Sequence, residues 1–182
     1  MEIENFGAQT DNADFSNPLA MIHACHERIR RFCRLLQDAG SALQQHGASQ
    51  DFVTACKHIH HYFSTAGKLH HQDEENDIFP LVIRTSLKIA ELIHQLKQEH
   101  RQLDQLWESL APLLQSARHL DDPGQFIRLA NDYARLAVAH VDKEEEEFLP
   151  VIQHLLSSEQ LEKIGHSMAL RRNLAFPPPG FE

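Results

Sequence analysis

Two stretches of the chain, HHQDEENDIFP at 70–80 and HVDKEEEEFLP at 140–150, share one spacing. In each, a His is followed four residues later by a Glu, then by a second Glu, two polar residues, two apolar ones and a proline. The repeat extends upstream. Aligning His26 with His100 superimposes Ile29 on Leu103, Phe32 on Leu106, Cys33 on Trp107 and Leu36 on Leu110, and aligning His70 with His140 superimposes Phe63 on Tyr133. The chain thus reads as one helical hairpin used twice, which restricts the fold to packings in which two similar hairpins face each other across a pseudo-two-fold axis.

Apolar residues recur with helical period through long segments interrupted by few Gly or Pro residues. Asn17-Pro18 is a helix start, since Asn caps and Pro suits the first turn. A first helix runs from there to about Gln45, a second from after Ser49 to about Phe79 with Pro80 at its last turn or a kink, and a third from about Leu87 to Ser116. Asp122 and Pro123 begin a fourth that reaches about Leu156, and a short fifth starts in a capping box at Ser157 and ends near Asn173. The reading is all-α: an up-down-up-down four-helix bundle with a short C-terminal fifth helix. It divides into a polar leader at 1–16, the bundle at 17–157, and a short helix with a Pro-rich tail at 158–182.

Composition narrows the function. A formal charge of −9 argues against nucleic acid or anionic membrane as partner. The start of the chain lacks the basic and apolar runs of a signal peptide, no stretch approaches a membrane span, and three cysteines lie within helical patterns, so the expected compartment is the cytoplasm. Fourteen histidines are the unusual feature. Most of them, including His46, His58, His60, His61, His94, His119, His154 and His166, have no place in the repeat and read as surface residues.

Residues four apart on a helix differ by about 40° in direction, so His70 and Glu74 share a face, as do His140 and Glu144. One such pair is an ordinary surface feature. Two with the same offset to a proline, accompanied by His26 and His100 at matching places on the other helices, point to a metal site inside the bundle. Mixed imidazole and carboxylate donors suit iron, manganese or zinc, and two carboxylates able to bridge favour two ions over one. By the proline offset, the neighbouring pair His71 and Glu75 faces away, and Glu145, Glu146 and Glu147 form a solvated face.

The stretches HACHERIRR, HHQDEENDIFP, QEHRQLDQLW and HVDKEEEEFLP resemble the four helices of the hemerythrin family over about residues 18–156. That resemblance implies a hemerythrin-like bundle holding two iron ions (Fe2+/Fe3+), oxo or hydroxo bridged, with zinc or manganese as possible substitutes. It implies His26, His70, His100 and His140 as ligands and Glu74 and Glu144 as bridges. The oxygen carriers have a second histidine four residues after the one on their third helix, where this chain has Asp104. His23, Asp104 or water would fill that place. The function implied is binding or sensing of a diatomic ligand (oxygen, nitric oxide or peroxide); a di-iron oxidase, peroxidase or iron-centre repair protein and an iron or zinc store or sensor are the alternatives. Helix direction further places a bulky layer of Cys33, Phe63, Trp107 and Tyr133 above the metals, with space beneath it near Ala66, Gly67 and Ala137.

Overall fold

The computed structural model describes residues 14–174, all of it helix and short connections with no strand. Helix α1 is Pro18–His46, capped by the Asn17 side chain, which accepts from the Ala20 N–H at 3.1 Å. Helix α2 covers 50–82, α3 is Leu87–Gln115, α4 covers 123–152 and α5 is Ser158–Arg171. Ser49, Ser86 and Asp122 cap α2, α3 and α4 through their side chains, and Ser157 forms the expected capping box with Gln160. Among the first four helices each packs against two of the other three, α1 and α3 each lying against both α2 and α4, so the core is shared by all four. The leader and tail of the sequence reading fall largely outside the described residues.

Two boundaries differ from expectation. Helix α4 stops at Ile152 rather than near Leu156, because Ser157 must be extended to cap α5 and the chain leaves the helix through tight turns at 153–155. Helix α2 instead passes through Pro80 to Val82. Proline lacks an N–H, and its ring crowds the carbonyl four residues back. Here the preceding turn widens into a π-helix, Glu74–Ile78, in which the Phe79 N–H donates to the Glu74 carbonyl. The same widening occurs at Glu144–Phe148 before Pro150, with the Leu149 N–H donating to Glu144. A third π turn, Phe63–Gly67 in α2, has no counterpart in α4, where 133–137 is regular α-helix. π turns are rare and concentrate at functional sites.

The interior is layered. One apolar cluster includes Phe32, Leu36, Phe52, Ile59, Leu110, Leu114 and Phe126. The other, including Ile22, Ile78, Phe79, Ile93, Leu96, Phe148 and Ile152, is extended by Ile164 and Met168 of α5. Helix α5 is fastened by Arg171 and Arg172, which pair with the buried carboxylate of Asp73, and by Ser167, which donates to Asp77 at 2.8 Å. Gly165 has a specific steric reason: a Cβ there would lie 1.9 Å from the Phe15 carbonyl oxygen, where the segment before α1 crosses α5.

Candidate metal centre

On every long helix the segment between the two apolar clusters carries the repeat's polar residues. His26, His70, Glu74, His100, His140 and Glu144 are all buried there, a concentration of titratable groups that an apolar interior tolerates only when they are satisfied. Ligand atoms of His26, His70, Glu74 and Glu144 lie within 4.8 Å of one another, and so do those of Glu74, His100, His140 and Glu144. Both glutamates belong to both groups. Glu74 turns Oε1 to His70 Nε2 at 3.6 Å and His26 Nε2 at 3.9 Å, and its Oε2 to His100 Nε2 at 3.4 Å. Glu144 turns Oε2 to His26 Nε2 at 3.1 Å and Oε1 to His140 Nε2 at 3.4 Å. Each carboxylate therefore spans two adjacent positions, with one oxygen for each.

Several atoms of these side chains are buried without a hydrogen-bond partner: His26 Nε2, both nitrogens of His70, Glu74 Oε2 and both carboxylate oxygens of Glu144. Leaving a buried polar group unpaired costs about 1–3 kcal/mol, more for charged groups. Imidazole nitrogens and two carboxylates converging in this way fit divalent or trivalent cations of the iron, zinc and manganese kind.

The outward nitrogens show what the spacing argument missed. Glu75, expected to face away, accepts from His100 at Nδ1, 2.8 Å, and lies 3.6 Å from Lys97. Glu145, expected to be solvated, lies 2.6 Å from His26 Nδ1 and 2.6 Å from His23 Nδ1. The arrangement is reciprocal, because the second Glu of each motif holds the lone histidine of the other hairpin. The doubled Glu in both motifs was the available signal. Glu99 holds His140 Nδ1 at 2.8 Å and pairs with Lys143, while Glu146 and Glu147 are exposed as expected.

Protonation in the metal-free state follows from this packing. Burial opposes charge on His26, but contacts with Glu144 and Glu74 outweigh it and push its pKa up to about 10. In His100, burial is likewise outweighed, by Glu74, Glu144 and Glu75, giving about 9. Burial dominates at His70, whose pKa falls to about 4. Burial opposes ionisation of Glu74 as well, yet His70, His100 and His26 hold its carboxyl well below the usual carboxylate range.

The structure places three further residues. His23 lies outside both groups, its side chain 52% exposed and engaged with Glu145, in the role Lys97 plays opposite Glu75. Asp104 is exposed and also outside both groups. His71, by contrast, is turned inward, its ring stacked on His100 with centroids 4.0 Å apart. The π turn at Phe63–Gly67 explains the difference. A widened turn delays the helical phase by roughly one residue, about 100°, so the line through Phe63 and Gly67 continues to His71.

A cavity of about 440 Å³ leads to the centre. Phe63, Trp107 and Tyr133 form its aromatic wall, Gly67 and Ala137 leave the space beneath, His71 and His140 end it, and Lys68, Asp104 and Glu108 line its polar side. The aromatic part of the bulky layer and the gap beside Gly67 and Ala137 are where helix direction put them, while Cys33, expected in that layer, does not line the cavity and is buried in the core. Ala66 does not line the cavity; it packs on the core instead.

A helical bundle with two adjoining imidazole and carboxylate groups at its centre defines a protein able to hold metal cations. The chain belongs to the hemerythrin family, the model of the hemerythrin HHE cation-binding domain matching residues 17–152. It is also 31% identical over 166 residues to an uncharacterized protein of Haemophilus influenzae, a likeness covering 89% of this chain and 94% of that one.

Proposed function

We propose that the protein is a non-haem di-iron protein that binds or senses a diatomic ligand, oxygen, nitric oxide or peroxide, inside an up-down-up-down bundle. His26 and His70 would hold one ion and His100 and His140 the other, with Glu74 and Glu144 shared. The observation that carries this reading is the pair of donor groups that share both glutamates, each carboxylate with one oxygen on either side. A bound pair of iron ions supplies one-electron redox chemistry and a coordination position for a small molecule. The chain's own residues orient the imidazoles through Glu75, Glu99 and Glu145, separate the centre from bulk water with two apolar layers, and admit small molecules past Gly67 and Ala137. Three buried thiols without a disulfide support a cytoplasmic setting. Among the described residues, no helix is long and apolar enough to cross a membrane.

The cavity favours one second reading. At about 440 Å³ it has room for more than a diatomic molecule, so an organic reductant or peroxide could enter and be turned over by a di-iron oxidase or peroxidase. Metal analysis of protein from iron-replete cells, followed by rapid mixing of the reduced form with oxygen or nitric oxide, tests both. Two irons per chain and one adduct per iron pair support the binding protein, sustained consumption with an added reductant supports the enzyme, and failure to take up iron contradicts both.

A further inference from the structure

His71 lies in a half-site position that the repeat does not prepare, because the corresponding residue of α4 is Val141. Its ring faces that of His100 with planes 17° apart, and its centroid lies 5.6 Å from His70 and 5.8 Å from His140. One nitrogen from each of His71, His100 and His140 falls within a common 4.8 Å, a donor group that shares His100 and His140 with one of the two glutamate-sharing groups. The backbone provides for this placement through the π turn Phe63–Gly67, which α4 lacks and which puts Phe63, Gly67 and His71 along one wall of the cavity. Neither His23 nor Asp104 comes close enough to join either shared group.

We infer that His71 is a metal ligand, the third imidazole on the ion held by His100 and His140, reaching it from the cavity side. This rests on the metal-centre reading above. It makes the two ions unlike, one with two imidazoles and the other with three. It also makes His71 the group that an entering molecule meets before the ion, since His71 and His140 together end the cavity. An exogenous ligand using this route competes with His71 for the ion.

The test compares the full-length wild type with His71→Ala and His71→Phe, the second keeping an aromatic ring against His100 while removing the donor. In wild type labelled with 15N at histidine, zinc titration should move the His71 ring nitrogens together with those of His100 and His140. Iron-loaded His71→Ala and His71→Phe should share an altered ferric absorption spectrum, and in His71→Ala millimolar imidazole, admitted through the cavity, should restore it. Unmoved His71 nitrogens in zinc-loaded wild type overturn the inference. So does a wild-type spectrum in iron-loaded His71→Phe, which would show that the ring only packs. The labelled wild type decides the matter even where a variant does not fold. Wild type that takes up neither metal overturns the metal-centre reading and this inference together, whereas a loaded protein with a silent His71 overturns this inference alone.

Discussion

His140 and His70 occupy corresponding places in the two hairpins, but only His140 is held from behind. Glu99 accepts from its Nδ1 and is itself paired with Lys143, whereas both nitrogens of His70 lack hydrogen-bond partners and the residue corresponding to Glu99 is Cys25. A further exchange goes with it. Lys143 corresponds to Asp73, which pairs with Arg171 and Arg172 of α5 rather than with a neighbour of the histidine. The four histidines and two glutamates of the repeat obey the pseudo-two-fold, as do Glu75 and Glu145 behind His100 and His26, but the support behind His140 has no counterpart at His70. Burial around His70 keeps its imidazole neutral with no carboxylate behind it, so His70 relies on packing where His140 relies on a charge network.

The shared carboxylates should show no such asymmetry, and their loss should have the largest effect. Glu74→Ala and Glu144→Ala should each abolish binding of the ion pair, leaving fewer than one iron per chain by elemental analysis. Retention of two irons in either variant would mean that its carboxylate is not shared.

Glu99→Gln and Cys25→Ala break the comparison directly. Orienting partners behind metal-bound histidines are typically worth about 10–100-fold in affinity. Glu99→Gln should weaken metal binding by that factor in a chelator competition, and Cys25→Ala should change it by less than about threefold. Equal effects would mean that His70 and His140 are supported alike.

The pH dependence sharpens the picture. In the metal-free protein, His26 at about 10 and His100 at about 9 lie above the ordinary histidine value. The stability they contribute is complete below about pH 6.5 and is lost as pH rises through 9 to 10. Glu74 works in the other sense: its lowered pKa contributes above the ordinary carboxylate range and is lost on acidification. A cation must displace the protons of His26 and His100, so apparent affinity should climb with pH between 6 and 8, by up to about a hundredfold per unit for two protons. Glu75→Gln should flatten this slope through His100. A pH-independent affinity would show that neither histidine gives up a proton to the metal.

The smallest expected effect lies at α5, which packs mainly against α1 and α2. Gly165→Ala would force the Phe15 backbone away from α5. It should cost about 1–3 kcal/mol in thermal or denaturant unfolding while leaving metal content unchanged. A loss of metal would extend the role of α5 to the centre itself.

Much of this was legible in the residues. Helical period, Asn17, Asp122 and Ser157 marked helix starts, and the doubled His-Glu-Pro spacing brought His26, His70, Glu74, His100, His140 and Glu144 into one buried cluster. What escaped was phase. An ideal helix of 3.6 residues per turn sends Glu75, Glu145 and His71 away from the interior. Three π turns alter that count, and wheel geometry cannot locate them without knowing how Pro80 and Pro150 are absorbed or where Phe63 packs. The doubled glutamates were visible, but their assignment to the lone histidines of the opposite hairpin is a tertiary fact.

The central claim is that Glu74 and Glu144 join two metal ions into one unit. Mössbauer spectroscopy of wild type loaded with 57Fe and oxidised, recorded at low temperature with and without an applied field, tests it most directly. The account predicts two irons per chain in an antiferromagnetically coupled diamagnetic ground state, with no electron paramagnetic resonance signal from isolated ferric iron. A single iron per chain, or two that behave as independent high-spin ions, would contradict it.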